Sequence, residues 1–115
     1  MKDKVVVLVT CANAREAKRI ARAVVEAHLA ACVNVLGAPV ISFYRWKGKV
    51  EQAREVLLLM KTSRKKLAAL RAVVTRLHSY DVPEFIAVSI AAGSPAYMRW
   101  LDESLRPIAR RRKPQ

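Results

Sequence analysis

The chain has few cysteines, few acids and no long apolar run, and each shortage removes a class of function. Cys11 and Cys32 are the only two cysteines in 115 residues. They form no Cys-x-x-Cys pair, so the sequence encodes neither a cysteine zinc site nor a dithiol redox motif. A reducing, cytoplasmic setting is the simpler expectation. No stretch reaches the roughly 18 apolar residues that a spanning helix needs, so no membrane partner is expected. Gly-rich phosphate loops, Ser-His-Asp signatures and closed zinc patterns are also missing. Even so, 53% hydrophobic and 27% charged residues describe a single globular domain able to bury its own core.

Acids are scarce: 9 Asp and Glu stand against 22 Lys and Arg, a formal net charge of +13. Part of the excess is a tail, since Arg106, Arg110, Arg111, Arg112 and Lys113 fall in the last ten residues with no acid among them. We divide the chain into a domain over residues 1–107 and a basic tail over 108–115. Such a field attracts anions without choosing among them. At the other end, Lys2 and Lys4, the apolar run 5–9 and Ala12-Asn13-Ala14 outline a signal peptide. The run is β-branched and short, Asp3 dilutes the positive flank, and cleavage would remove a core strand. We therefore read it as a strand.

That strand, residues 5–9, is followed by Asn13 as a helix cap and by apolar positions 17, 20, 21, 24, 25 and 29 at helical spacing. Arg15, Lys18, Arg19 and Arg22 make its outer face basic. Residues 32–36 and 40–46 read as a strand interrupted by Gly37-Ala38-Pro39, where proline's missing donor implies a bulge or an edge. Lys47-Gly48 is a tight turn, and residues 49–62 run back. A second helix over 64–78 carries Leu67, Leu70, Val73, Val74 and Leu77 inward, with Ser63 as its cap. Residues 85–90 form a last strand, and Ser94-Pro95 opens a final helix with Tyr97, Trp100, Leu101 and Leu105. The fold class is α+β: a ferredoxin-like βαββαβ unit with an extended β-hairpin and an added C-terminal helix.

Residues 5–9 and 56–60 are apolar on both faces, yet two helices cover only one face of such a sheet. The other face needs a partner, and a closed homo-oligomer is expected.

Leu8-Val9-Thr10, Leu29-Ala30-Ala31-Cys32-Val33-Asn34, the hairpin Tyr44-Arg45-Trp46-Lys47-Gly48-Lys49-Val50-Glu51, residues 55–62, residues 77–84 and Tyr97-Met98-Arg99-Trp100-Leu101 together resemble the CutA divalent-cation tolerance proteins. Their order and spacing cover nearly the whole chain except the tail. The resemblance implies a ferredoxin-like homotrimer that responds to copper and other divalent cations and catalyses no reaction. Some members are described as binding copper through a cysteine near the end of the first strand and a histidine pair. The matching positions here are Val9, Leu77 and His78, so one ligand of that set remains. Ser79 and Asp81 stand where proline and glutamate are more usual. The implied metal binding, Cu(II) or another divalent cation, is therefore weak, and no cofactor is required.

His78 closes the second helix, where an imidazole can bond the last carbonyls or serve as a metal ligand in a subunit cleft. Cys11 is expected in the loop before the first helix, where a helix N-terminus lowers a thiol pKa and favours a soft metal. Cys32 is expected in the core. Tyr44, Trp46, Tyr80 and Trp100, with Lys49, Lys61 and Glu84, are assigned to a subunit cleft or interface. Glu51 and Glu55 share a strand face with Lys49 and Lys61 and are expected to form cross-strand pairs between subunits. An alternative reading is a sensor like the trimeric PII proteins, binding an anionic ligand between subunits. RNA-recognition domains use the same element order, but the strand at 50–60 lacks their Gly-aromatic pattern. Nucleic acid is not expected as a partner.

Overall fold

Alternating valines build the centre of the molecule. In the computed structural model, which describes residues 3–107, Val5, Val7 and Val9 of β1 (Lys4–Cys11) are fully buried, while Val6 and Leu8 point the other way and are half-buried. Asn13 then caps α1 (Ala14–Glu26), its Oδ1 accepting the Glu16 N–H at 2.9 Å. Ala17, Ile20 and Val24 lie against the sheet. The helix stops before Leu29 because His28 turns left-handed at φ 59°, and the Leu29 and Ala30 N–H groups both return to the Val24 carbonyl. Leu29 still packs on the core, from the loop.

β2 (Cys32–Val35) and β3 (Val40–Trp46) both pair antiparallel with β4 (Lys49–Ser63). Cys32 lies opposite Lys61 and Val40 opposite Glu55, so two more residues pass on the β2–β3 side than on β4. The Gly37-Ala38-Pro39 interruption absorbs them, as a bulge should. At the far end Lys47 and Gly48 have φ of 51° and 81°, the two left-handed residues of a tight hairpin turn.

The second helical segment departs from expectation. Residues 64–66 form a 3₁₀ turn and α2 is Leu67–Leu77. Ser63 makes no capping bond, and its buried hydroxyl has no hydrogen-bond partner among the described residues. The Arg64 N–H is instead taken by the Asp3 carbonyl at 2.7 Å. β5 (Ile86–Ser89) pairs antiparallel with β1, and α3 (Pro95–Ser104) starts as anticipated, with Ser94 Oγ accepting the Tyr97 N–H at 3.4 Å.

The sheet order is β2-β4-β1-β5, with β3 extending the β2 side along β4. β4 lies between the parallel β1 and β2, which is the split βαβ of a ferredoxin-like fold. α1 and α2 cover one face, burying Leu58, Met60, Leu70 and Val74. Each such side chain contributes about 1.5–3 kcal/mol by leaving water. On the opposite face, rows such as Ile86-Leu8-Leu59 remain, with Ile86 and Val88 each 50% exposed. α3 builds only a small separate cluster from Met98, Leu101 and Leu105 with Ala31 and Ile90. The basic tail, residues 108–115, lies outside the described residues.

Candidate functional site

Counting back from the two-residue turn puts Ser42, Tyr44 and Trp46 on the same strand face as Lys49, Glu51, Ala53 and Glu55. Where this arm leaves the sheet, that face meets the segment 80–84 coming from α2. Between them lies a groove of about 720 Å³ lined by Thr10, Ser42, Phe43, Tyr44, Trp46, Glu55 and residues Tyr80, Asp81, Val82, Pro83 and Glu84. Aromatic walls and carboxylates face each other across it. A smaller depression of about 390 Å³ beside α3 contains Lys4, Asp102 and Arg106, whose charges already pair at 2.9–3.1 Å.

Glu55 is the buried acid of the groove. Its Oε2 accepts the Tyr80 hydroxyl at 2.7 Å, and burial together with that carboxylate pushes the Tyr80 hydroxyl well above the ordinary phenol range. Burial, and next the Glu55 charge, also raise the Glu84 carboxyl. No Lys or Arg is among the lining residues. The groove therefore holds carboxylates in a desolvated place without a neighbouring cation to offset them.

His78 stands behind this wall. Its ring packs on Tyr80 with centroids 4.7 Å apart. Nδ1 accepts the Tyr80 N–H at 3.1 Å, which leaves Nε2 to donate to the Thr10 carbonyl at 2.8 Å. Glu16, buried on α1, accepts the Ser79 N–H and, at 3.0 Å, the Ser79 hydroxyl, and sits 3.7 Å from Nδ1. The imidazole thus bonds a β1 carbonyl rather than the last carbonyls of α2. Together these contacts tie residues 78–80 to α1 and β1 and aim Tyr80 at Glu55.

Cys11 requires a correction. It is the last residue of β1, opposite Val56, and fully buried rather than placed in a loop. Burial, and then the charges of Glu16 and Glu55, push its thiol up to about 12, the reverse of the lowered value expected at a helix N-terminus. Cys32 is half-buried at the start of β2, with Lys61 Nζ 3.9 Å from its sulfur. Among the described residues no three His, Cys, Asp or Glu side chains gather as a metal cluster. A single chain's residues do not fit a tight metal centre, because both His78 nitrogens are engaged by backbone and the Cys11 thiol holds its proton.

The residues assigned to a cleft do not all come together. Tyr44, Trp46, Tyr80 and Glu84 line the groove. Lys49 pairs with Trp46 at the arm's tip, and Lys61 lies six residues beyond Glu55, about 20 Å along the strand. There Lys61 bonds Asn34 Oδ1. Trp100 lies on α3, its ring 5.4 Å from that of Tyr97. Within the chain Glu55 bonds Tyr80. Thr10, Phe43, Glu16 and Glu55 are among the site residues that sequence patterns left unassigned to a site. For Glu55 a signal existed: the turn fixes the register, and the register sets it on the Tyr44 face.

Comparison with known proteins agrees with this frame. The model of the family described as CutA1 divalent ion tolerance protein matches residues 5–104. Protein CutA of Mus musculus is 46% identical over 101 residues, covering 88% of this chain but 56% of that protein. The chain spans little more than half the length of the vertebrate relatives it matches. The divalent-cation tolerance protein CutA of Thermus thermophilus is 44% identical over 99 residues, covering 86% of this chain and 95% of that one. A solved structure of the Thermus thermophilus protein superposes with a TM-score of 0.85 over 88% of this chain and 97% of its own. One from Archaeoglobus fulgidus, described as periplasmic, reaches 0.86 at 37% identity, covering 90% and 99%. With the family's sequence pattern running from β1 to the end of α3 and its solved structures superposing at TM-scores of 0.85 and 0.86, the chain belongs to the CutA1 divalent ion tolerance protein family.

Proposed function

We propose that the chain acts as a non-enzymatic homotrimer in the tolerance of divalent cations, copper among them, and that it meets the cation weakly at the acidic groove. One observation carries the cation reading: Glu55 and Glu84 share a desolvated groove whose lining holds no basic side chain. A divalent cation brought there relieves that repulsion, and carboxylates with the Tyr80 hydroxyl offer it oxygen donors. The donors of one chain are too few for a closed shell, so binding is loose and is completed at a junction between copies. The apolar rows on the helix-free sheet face support the assembly, since covering them needs a second copy. The alternative of a PII-like sensor with an anionic ligand is disfavoured here, because every charged group lining the groove is an acid.

Calorimetric titration with Cu(II) and Zn(II), with light scattering for mass, tests this reading. A trimeric mass is expected, with saturable binding whose affinity falls roughly 10-fold or more in Glu84→Gln. His78→Ala should weaken binding less, since it acts through Tyr80. A monomeric mass, or identical heats in wild type and Glu84→Gln, would sink it.

A further inference from the structure

The fold sorts the charge that the sequence spreads along the chain. The helix layer, residues 14–26 and 64–77, holds nine Lys and Arg against two acids, and one of those acids, Glu16, is buried. The remaining residues of 3–107 hold eight against seven. Nearly all the net charge of the described domain therefore stands on one layer, opposite the apolar sheet face. On α1, Arg15, Lys18 and Arg22 form an exposed stripe, and Arg71 and Arg76 are exposed on α2. Glu26 is the one exposed acid there, at 3.5 Å from Arg22.

We propose that this helix layer is a docking surface for the phosphate backbone of duplex nucleic acid. The stripe from Arg15 to Arg22 spans about 10 Å, a length over which a duplex presents roughly six phosphate charges. Six of the nine cations are arginines, whose planar fork matches phosphate oxygens two at a time. The layer has no aromatic residue, so it offers no platform for stacking unpaired bases. Its most open bulky apolar side chain is Val25, at 38% exposure, so it has no wedge for an anionic bilayer. The large exposed aromatics lie on the hairpin arm and α3 instead. Backbone contact alone carries no sequence preference. The sequence showed the basic face of the first helix but not that the second helix adds its cations to the same layer, and the proposal is independent of the cation groove.

Fluorescence anisotropy of the full chain with a short labelled DNA duplex, a matching RNA duplex and a single strand provides the test, at about 0.05 to 0.2 M salt. Both duplexes should bind, more tightly than the single strand, with affinity falling steeply as salt rises. Arg15→Gln, Lys18→Gln and Arg22→Gln combined should weaken binding on the order of 100-fold at about 0.1 M salt and flatten the salt slope by about 2.7. These sites are exposed, and unchanged circular dichroism confirms the fold. Neutralising Arg110, Arg111, Arg112 and Lys113 to Gln in the full chain should leave most of the affinity. Three results would overturn the proposal: no duplex binding at low salt, loss on neutralising the tail with the helix variant unaffected, or binding to phosphatidylserine vesicles but not to duplexes.

Discussion

Val50, Gln52 and Arg54 lie on the same side of β4 as Leu58, Met60 and Thr62, yet the first three are exposed and the last three are buried. The backbone is one continuous strand of 15 residues, and Glu55 marks the change. Beyond it, β1, β2 and both helices close over the strand. Before it, β3 is the only neighbour, and the arm stretches the molecule to 59 Å in its longest dimension. Ladder hydrogen bonds and a well-chosen turn suffice to make strand; they do not supply burial. The arm keeps Phe43 at 68% and Val50 at 64% exposure, and what it gains in return is one wall of the groove.

Substitutions along and beside β4 should separate the two halves. Leu58→Ala, in the buried half, should cost about 2–5 kcal/mol of stability in denaturant titration, because the surrounding strands and helices cannot collapse into the gap. A loss below 1 kcal/mol would mean that the core is looser than the packing indicates. At the junction, Tyr80→Phe removes the hydrogen bond to a buried carboxylate and should cost about 1–3 kcal/mol. Glu84→Gln should act with the opposite sign. The folded Glu84 pKa is raised, so its charge penalises the fold fully above that pKa and not at all below the unfolded value. The variant should therefore be slightly more stable at neutral pH, with the gain fading as pH falls through the carboxylate range. A gain independent of pH would point to packing instead. The smallest change belongs to the arm: Val50→Thr should move stability of the dissociated chain by less than about 0.5 kcal/mol, while raising the concentration at which copies separate only if the arm lies between them.

The local signals carried the frame a long way. Asn13, Ser94-Pro95, the Lys47-Gly48 turn and the alternating valines each act within a few residues, and each stands where the sequence put it. The family resemblance, built on pieces from β1 to α3, reached the same frame by another route. Failures came where a distant group decided the outcome. Ser63 makes no capping bond, and the Arg64 N–H beside it is held by the carbonyl of Asp3, which precedes β1. β1 runs two residues past Val9, where the sequence ends the strand, so Cys11 is a buried strand residue rather than a loop thiol. The ring of His78 answers to Thr10, 68 residues away, and Glu16 to Ser79, 63 residues away. No spacing rule reaches that far, so half the groove was invisible until the chain folded.

At the opposite border of the sheet from the arm, β5 pairs with β1 through only four residues, from Ile86 to Ser89. Its outer row of backbone donors and acceptors is unmatched by any further strand among the described residues, and Ile86 and Val88 make it greasy. A foreign strand adding there would find too short a rail to zip along, and fibril growth from this border is starved of length. Brevity, rather than charge, is the protection this rim carries.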